Sequence, residues 1–418
     1  MQLKTILNRI EKFKCFVYGK VELVEELGQL ALLVHVLPRA NSSPICSGCG
    51  KPCPGYDTLD PRRFEYVPLW GIAVLFVYAM RRVCCPSCYV VVERVPWAEG
   101  KEHLTRRYQW FLARWAKRMS WKEVAEAFQT TWEHVFLSVK MAVGWGLEHR
   151  VLEGITAIGV DEVQFQRGHK YLTVVYQLNE GCKRLLWVGK ERTVKTLLTF
   201  FRWLGPQRAA RLEFVCSDMW KPYLKVIARK AKQALNVLDR YHIVQMMNKA
   251  IDKVRATEAK ELTHKGYQPV LKHTRWCLLK RPENLTDKQD LTLRELVRYN
   301  LKTVRAYLLK EDFQLHFWDY LKPAWAGKFL QRWCTRVMRS RLEPMKQVAR
   351  SLRTHADLIM NWFKARGRIS LGAVEGLNNK EKVITRRSYG FRSYEVLEIA
   401  LYHAMGELPE PASTHRFC

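Results

Sequence analysis

The sequence lacks an apolar run long enough to cross a membrane. Its longest uncharged stretch, from Tyr66 to Met80, contains Pro68 and Gly71 and is shorter than the roughly 18–20 residues of a spanning helix. The first residues lead directly into charged sequence at Glu11, without the apolar core and cleavage site of a signal peptide. No lipidation motif is present either. A membrane protein is therefore excluded, and we expect a cytoplasmic protein.

Acidic residues are few compared with basic ones. The 418 residues include 70 Lys and Arg but only 40 Asp and Glu, which gives a formal net charge of +30. Repulsion among so many like charges opposes a compact state unless an anionic partner is present. The basic residues are spread along the whole chain and accompany 12% aromatic residues, a combination that favours nucleic acid over a membrane surface. The length predicts two to four domains.

Cysteine is plentiful, with twelve residues, but disulfides are rare in cytoplasmic proteins. Two CxxC motifs lie between residues 46 and 88, and such a pair of motifs can close a tetrahedral zinc site. The residues between the motifs alternate like a β-hairpin, so we predict one structural Zn²⁺ ion rather than incidental core cysteines. The predicted ligands are Cys46, Cys49, Cys85 and Cys88. Cys53 and Cys84 lie nearby and stay open as substitutes for one ligand.

Residues 105–150 show the pattern of helices joined by short turns. The predicted helices cover residues 106–118, 121–128 and 131–147. Capping boxes are predicted at Ser120 and Thr130. Two helices after a basic helix suggest a DNA-binding helix-turn-helix, although a plain helical bundle would show the same spacing. The third helix is the candidate recognition helix, with possible base contacts at Thr131, Glu133 and His134.

Short strands alternate with helices after residue 150. The predicted strands cover residues 155–164, 170–178, 184–189, 212–217 and 234–238. The predicted helices cover residues 194–204 and 220–232, and a further one begins near 241. The first strand carries Asp161, and the fourth ends at Asp218. This order of elements is that of an RNase H-like core.

A third acidic residue, Glu375, lies in a predicted late helix. Two carboxylates on strands and a third on such a helix form the metal platform of an RNase H-like core. A single Asp at a strand end is more often a turn residue, but two at matching positions favour metal ligands. Hard oxygen ligands suit Mg²⁺, and two such ions can clamp both oxygens of a phosphodiester exchange. We therefore predict two Mg²⁺ ions, replaceable by Mn²⁺, at Asp161, Asp218 and Glu375.

Residues 250–360 interrupt the predicted core. They are rich in Lys, Arg, Leu and Trp and show no strand alternation, so we predict an all-α insertion. A solvated helical subdomain would have the same composition, but the position between Asp218 and Glu375 favours a role in clamping DNA. Further predicted phosphate contacts follow it, at Lys382, Arg386, Arg387 and Arg392.

Together these segments resemble the ISL3 family of bacterial insertion-sequence transposases over nearly the whole chain. The resemblance depends on the cysteine motifs and on residues 95–98, 159–162, 216–220, 238–242 and 374–380. It implies a DDE transposase with a helical insertion in its RNase H-like domain. It also implies Asp161, Asp218 and Glu375 as metal ligands, and active-site support from Asp239 and His242.

The implied substrate is double-stranded DNA, namely the terminal inverted repeats of an insertion sequence and the target DNA. The enzyme would hydrolyse the DNA at the element ends and join the 3′-OH ends to the target. Because two ends are joined, we expect a homodimer or higher oligomer, associated with the nucleoid when bound. Two alternatives remain: a zinc-containing DNA-binding regulator without catalysis, and an RNase H-like nuclease without strand transfer.

The expected fold is therefore multidomain α/β. We expect a β-rich zinc-binding domain at residues 1–104, a helix-turn-helix at 105–150, the first part of an RNase H-like core at 151–250, an all-α insertion at 251–360, and the C-terminal helical part of the core at 361–418.

Overall fold

The computed structural model describes residues 3–26, 28–166, 170–267, 269–366, 368, 372–387, 391 and 393–412. Within these ranges the chain is a mixed α/β protein with two mixed sheets and many helices. It divides into two compact units. The first consists of residues 1–151 and 384–418, and the second of residues 152–383. No helix within the described ranges has both the length and the apolar character needed to cross a membrane.

The first unit begins with helix α1 (Leu3–Ile10) and contains, in its described part, a five-stranded sheet. The strands are β1 (Phe16–Glu26), β2 (Gln29–Pro38), β3 (Gly55–Leu69), β4 (Ile72–Cys85) and β5 (Tyr89–Val92). Their order is β1-β2-β4-β3, with β5 also paired to β4. The β3–β4 hairpin turns at Trp70 and Gly71, whose φ angles are 51° and 80°. Positive φ at both positions matches the twist of the flanking strands.

Trp97 lies at the centre of the aromatic core of this sheet. Only 1% of its surface is exposed. Its ring meets those of Phe16, Tyr78 and Phe64 nearly at right angles, with centroids 4.9, 5.3 and 6.0 Å away. These T-shaped contacts place ring edges against π faces, the favoured arrangement for aromatic pairs. The segment at residues 95–98 therefore closes the core of the β-rich region.

The three predicted helices follow in the first unit. They are α2 (Arg106–Trp115), α3 (Trp121–Ala127) and α4 (Trp132–His149). The capping box at Ser120 is confirmed, but the one predicted at Thr130 is wrong. Gln129 has a φ of 51°, and the chain enters the helix one residue later, so the Thr131 hydroxyl accepts the bond from the His134 N–H. The Thr130 hydroxyl instead contacts Nδ1 of His134 at 3.0 Å.

The second unit contains a five-stranded sheet formed by described residues. Its strands are β6 (Ala157–Gln166), β7 (Lys170–Asn179), β8 (Cys182–Lys190), β9 (Phe214–Ser217) and β10 (Leu235–Leu238). Their order is β10-β9-β6-β7-β8. Strands β10, β9 and β6 are parallel, whereas β7 and β8 are antiparallel to their neighbours. Each of the five predicted strands is present, with small shifts at the ends.

Helices α5 (Val194–Leu204), α6 (Pro206–Ala209) and α7 (Lys221–Lys230) accompany this sheet. Phe200 on α5 and Tyr223 on α7 join Val160 and Val175 in one buried cluster. Strand β7 is buried almost continuously, as expected when both faces of a sheet are covered. The apolar residues from which these strands were predicted are therefore explained by a sheet that is buried on both faces.

The region predicted as an all-α insertion contains helices joined by loops and no strand among its described residues. The remaining helices are α8 (Arg240–His264), α9 (Arg275–Leu279), α10 (Asp287–Val297), α11 (Lys302–His316), α12 (Pro323–Arg339), α13 (Glu343–Thr354), α14 (Ala356–Ala365), α15 (Ala373–Arg387) and α16 (Tyr394–Met405). Glu258 on α8 is buried and accepts hydrogen bonds of 2.7 Å from the backbone N–H groups of Lys302 and Thr303. A carboxylate at this position complements the positive N-terminus of α11. Helix α8 thereby links the end of β10 to the helical region.

His403 on α16 is almost fully buried in the first unit. Burial, and to a smaller extent the nearby charge of Lys117, lower the pKa of His403 to about 3. The carbonyl of Ala113 on α2 accepts a hydrogen bond from the ring and opposes this shift only partly. The imidazole is therefore neutral in the folded protein at neutral pH.

We predict that the first unit loses stability as the pH falls below about 6.5, the usual pKa of histidine. The unfolded chain then binds a proton that folded His403 does not bind until about pH 3. The free energy of unfolding should fall by about 1.4 kcal/mol per pH unit from this group. His403→Leu should make the fall in melting temperature between about pH 7 and 5 shallower, as measured by circular dichroism. The exposed His149→Leu should behave like the unaltered protein, and an equally steep fall in His403→Leu would contradict the assignment.

Candidate active site

Asp161 lies on β6, and Asp218 directly follows the parallel strand β9. Strands β6 and β9 pair Gly159 with Cys216, and each aspartate comes two residues later. Asp239 directly follows β10, the next strand of the sheet. Parallel strands deliver their carboxyl ends to the same edge, where α/β sheets bind ligands. Three carboxylates therefore collect at one edge of the second unit's sheet.

Asp161 is 92% buried, since only 8% of its surface is exposed. The side-chain amide of Asn378 on α15 donates a hydrogen bond to its carboxylate, and the backbone N–H of Glu162 donates another at 2.8 Å. The Tyr176 hydroxyl donates to the Asn378 oxygen at 3.0 Å, which fixes the orientation of the amide. Burial raises the pKa of Asp161, while His242 and these two hydrogen bonds oppose the shift.

His242 lies next to these carboxylates on the first turn of α8. Its Nδ1 is 3.3 Å from a carboxylate oxygen of Asp239, so the protonated ring and Asp239 would form an ion pair. Burial lowers the pKa of His242, but Asp239 and Asp161 outweigh it, and the net pKa is raised. Asp239 also caps α8, because it accepts a 2.9 Å hydrogen bond from the N–H of Tyr241.

A cavity of about 290 Å³ opens at this edge of the sheet. Four of the predicted site residues line it, namely Asp161, Asp239, His242 and Lys382. Asn378 and the buried carboxylate Glu381 also face it. The cavity therefore combines carboxylates with one histidine and an exposed lysine, a set suited to metal ions and a phosphate.

Asp218 is held by groups on the other side of β6. The Trp220 N–H donates to one of its oxygens at 2.9 Å, and Arg192 Nη2 lies 3.2 Å from the other. Arg192 Nε is also 2.6 Å from Glu162, and its guanidinium lies 4.3 Å from the Trp220 ring centre. Arg192 therefore joins two carboxylates and is itself held by an aromatic ring.

Glu162 and Arg192 were missed by the sequence reasoning. Burial, and then the charge of Asp218, raise the pKa of Glu162 to about 8, although Arg192 opposes the shift. A charged residue beside Asp161 in a buried strand was a usable signal for Glu162. Arg192 lies in the loop between β8 and α5, where no local pattern marks it.

Glu375 lies on α15, but its side chain is outside the described residues. Val374 packs so closely on β6 that a Cβ at Gly159 would lie 2.6 Å from its Cγ2. Asn378, one turn later, reaches Asp161. The backbone at position 375 therefore lies beside the strand that carries Asp161.

The predicted DNA contacts on α4 differ in their surroundings. Thr131 and Glu133 are exposed at the start of the helix, whereas His134 is partly buried and engaged with Thr130. Arg386 is exposed on α15. The side chain of Arg387 and all of Arg392 lie outside the described residues.

The four predicted zinc ligands meet in the first unit. The Sγ atoms of Cys46, Cys49, Cys85 and Cys88 all lie within 4.8 Å of one another. The backbone N–H of Ser87, and to a smaller extent that of Cys88, lower the pKa of Cys85 to about 6 despite its desolvation. A thiolate is the form that binds a metal, so the cluster suits a tetrahedral ion such as Zn²⁺.

Local geometry separates these four cysteines from their neighbours. A Cβ at Gly48 would lie 2.8 Å from the Cys88 sulfur, so the first turn needs a residue without a side chain. Cys84 is exposed, because successive residues of β4 point to opposite faces. Cys53 is buried nearby and its thiol donates to the Lys51 carbonyl.

Comparisons with known proteins agree with this geometry. A family model of ISL3 transposases of the DDE class, described as "Transposase", matches residues 158–401. The transposase for insertion sequence element IS1001 of Bordetella parapertussis is 28% identical over 383 residues, which cover 90% of this chain and 93% of that protein. The transposase for insertion sequence element IS1557 of Mycobacterium tuberculosis is 28% identical over 410 residues, which cover 92% of this chain and 91% of that protein.

The family match extends over more than half of the chain and spans the strands and helices that bear Asp161, Asp218 and Glu375. The two relatives cover 90% and 92% of the chain, so the similarity extends beyond the family match into the first unit. A DNA-processing enzyme accounts for both the carboxylate site and the large positive charge. The chain therefore belongs to the ISL3 family of transposases.

Proposed function

We propose that this protein binds the terminal inverted repeats of an insertion sequence, hydrolyses the DNA at its ends and joins the 3′-OH ends to target DNA. The observation that carries the proposal is the parallel pairing of β6 with β9, which brings the segments that carry Asp161 and Asp218 to one edge of the sheet. Asn378, on the helix that bears Glu375, contacts Asp161 there. The strand order β10-β9-β6-β7-β8 supports an RNase H-like core. The names of the two relatives support insertion-sequence DNA as the substrate.

The donor set fits divalent metal ions. Asp161, Asp218 and Glu375 would hold two Mg²⁺ ions, or Mn²⁺ in their place, through hard carboxylate oxygens. When bound, such ions supply an activated water or 3′-OH and neutralise the charge that develops on the scissile phosphate. Arg192 forms an ion pair with Asp218 and another with Glu162. Its positive charge lowers the repulsion among the carboxylates.

The other residues of the site position the DNA and the ligands. Asn378, fixed by Tyr176, orients one oxygen of Asp161. The pKa of His242 is raised beside Asp239, and its protonated ring would stabilise the negatively charged phosphate. Lys382 is exposed on the cavity wall and would contact a neighbouring phosphate.

The division of labour along the chain is part of the proposal. Residues 1–104 would hold a structural Zn²⁺ ion, and 105–150 would read the terminal repeats through α4. Residues 151–250 and 361–418 would form the RNase H-like core, and 251–360 would clamp DNA. Because two element ends are cut and joined together, the active form would be a homodimer or a higher oligomer on DNA.

We predict that Asp161→Asn, Asp218→Asn and Glu375→Gln each lower end cleavage and joining by roughly a hundredfold or more, a typical cost of losing one stabilising group in the active site. DNA binding should persist, because affinity depends mainly on Lys and Arg. The assay is incubation with Mg²⁺ and DNA that carries the flanking terminal repeats, with both products scored. Glu213→Gln, at the opposite end of β9 from Asp218, should remain active. Normal cleavage by one of the three variants would remove that residue from the site.

Zinc content provides a separate prediction. Protein prepared without chelators should contain about one Zn²⁺ per chain by elemental analysis. Cys49→Ser and Cys88→Ser should lose the metal and disorder the first hundred or so residues, because metal binding and folding are coupled in such sites. Cys84→Ser is the matched control and should keep the metal. A chain that folds normally without zinc would contradict the site.

Sequence recognition by α4 can be tested with two exposed glutamates on the same helix. Glu133 lies at its N-terminus, where base contacts fall, and Glu148 lies near its C-terminus. Glu133→Gln in the full chain should change the ratio of affinities for terminal-repeat and random DNA. In free energy the change should be about 1–3 kcal/mol, the value of one base contact. Glu148→Gln should leave that ratio unchanged. Equal discrimination by both variants would assign recognition to another element.

A further inference from the structure

A larger cavity, of about 790 Å³, lies next to the candidate active site in the second unit. It is formed by the first turns of α8, the loop after α9, helix α11 and the end of α14. Asp239 and Tyr241 line both this cavity and the smaller one at the carboxylates. The two cavities therefore meet at the N-terminus of α8.

The walls of the larger cavity are strongly basic. They include five cationic side chains and one carboxylate, namely Arg240, Lys280, Arg281, Lys310, Arg366 and Asp239. Lys310 is neutralised, because its ammonium lies 2.9 Å from Glu311 and donates to the Leu278 carbonyl. Within the described part of the chain, no carboxylate lies within ion-pair distance of the three arginines. The cavity therefore retains a positive charge that its own walls do not balance.

Two of the three arginines, Arg240 and Arg366, are held in place without being neutralised, and one N–H of Arg366 also donates to the Tyr320 carbonyl at 3.3 Å. Arg240 lies 4.9 Å from the Trp318 ring centre and 5.7 Å from that of Trp362, and Arg366 lies 5.5 Å from Trp362. Burial lowers the pKa of Arg240, and repulsion from Arg281 and Arg366 lowers it further, only partly opposed by nearby aspartates. Aromatic faces fix guanidinium groups while leaving their N–H donors available. Such a cluster is arranged to receive an anion.

The shape of the cavity indicates which anion it receives. Its volume is that of a site enclosing one small ligand, so a single nucleotide fits and a duplex does not. Tyr241 lies on the rim with 43% of its surface exposed, and its ring can stack on a base. Guanidinium forks match the oxygens of a phosphate.

We propose that this cavity binds one nucleotide of a single DNA strand, its phosphate on Arg240, Arg281 and Arg366 and its base on Tyr241. The proposal rests on the proposed function, since it places an unpaired nucleotide beside the bond that is cut. The adjoining cavities would keep the strand in register with Asp161 while the helical insertion holds its neighbouring nucleotide.

The test measures binding of a labelled single-stranded oligonucleotide to the full-length protein by fluorescence anisotropy, without divalent metal and at several salt concentrations. Arg281→Ala/Arg366→Ala should weaken binding and lower the slope of log affinity against log salt by up to about 0.7, the contribution of one phosphate contact on a single strand. Arg202→Ala/Arg211→Ala removes two exposed charges from the second unit, outside both cavities and outside the helical region, and should keep the slope. Thermal unfolding checks that each variant is folded.

Tyr241 supplies an independent variant that removes no charge. Tyr241→Ala should weaken single-strand binding by about 5-fold to 100-fold, the usual range for losing one stacked base. Tyr241→Phe should restore it, because the ring alone is needed. Duplex binding should change little in both variants.

Three results would overturn the proposal. The first is an unchanged salt slope in Arg281→Ala/Arg366→Ala. The second is an equal loss of single-strand and duplex binding, which would indicate a general DNA surface. The third is full competition by inorganic phosphate with no effect of Tyr241→Ala, which would indicate a phosphate site only. The assay contains no divalent metal and scores no cleavage, so a failure of the catalytic proposal would appear in the cleavage assay and not in this one.

Discussion

The parallel pairing of β6 with β9 is the constraint on which the candidate site depends. It pairs Gly159 with Cys216 and so aligns the two aspartates that follow them. A slip of one residue would turn Asp161 to the opposite face of the sheet. The same strand receives α15, because Gly159 leaves room for Val374. One register therefore positions two carboxylates and the helix that bears the third.

Collecting so many carboxylates at one sheet edge creates repulsion that the protein balances with specific partners. Arg192 pairs with Asp218 and Glu162 on one side of β6, while Asn378 and His242 face Asp161 on the other. Burial still raises the pKa of Asp161 and Glu162. Bound cations would relieve this remaining cost, which is why a carboxylate cluster of this kind suits a metal-dependent reaction.

Long-range contacts also join the carboxylate edge to the helical region and stabilise the β-rich region. Helix α8 begins at Asp239, beside the site, and its buried Glu258 caps α11.

In the first unit, Glu93 is buried and binds Arg81 and Tyr78, while the backbone of Cys46 pairs with that of Glu93. The cysteine cluster is therefore tied to the core of its sheet and is not an isolated loop.

The sequence by itself determined what depends on local periodicity and spacing. Short apolar runs predicted β6 to β10, Ser120 and Glu123 predicted a cap, and two CxxC motifs predicted the four thiols that meet. The tertiary structure alone decided the pairings between distant positions. Arg192 lies between Glu162 and Asp218, and the cavity gathers arginines from α8, the loop after α9 and the end of α14. Local patterns encode the direction of a side chain within its own element, whereas its partners are chosen by how separate elements pack.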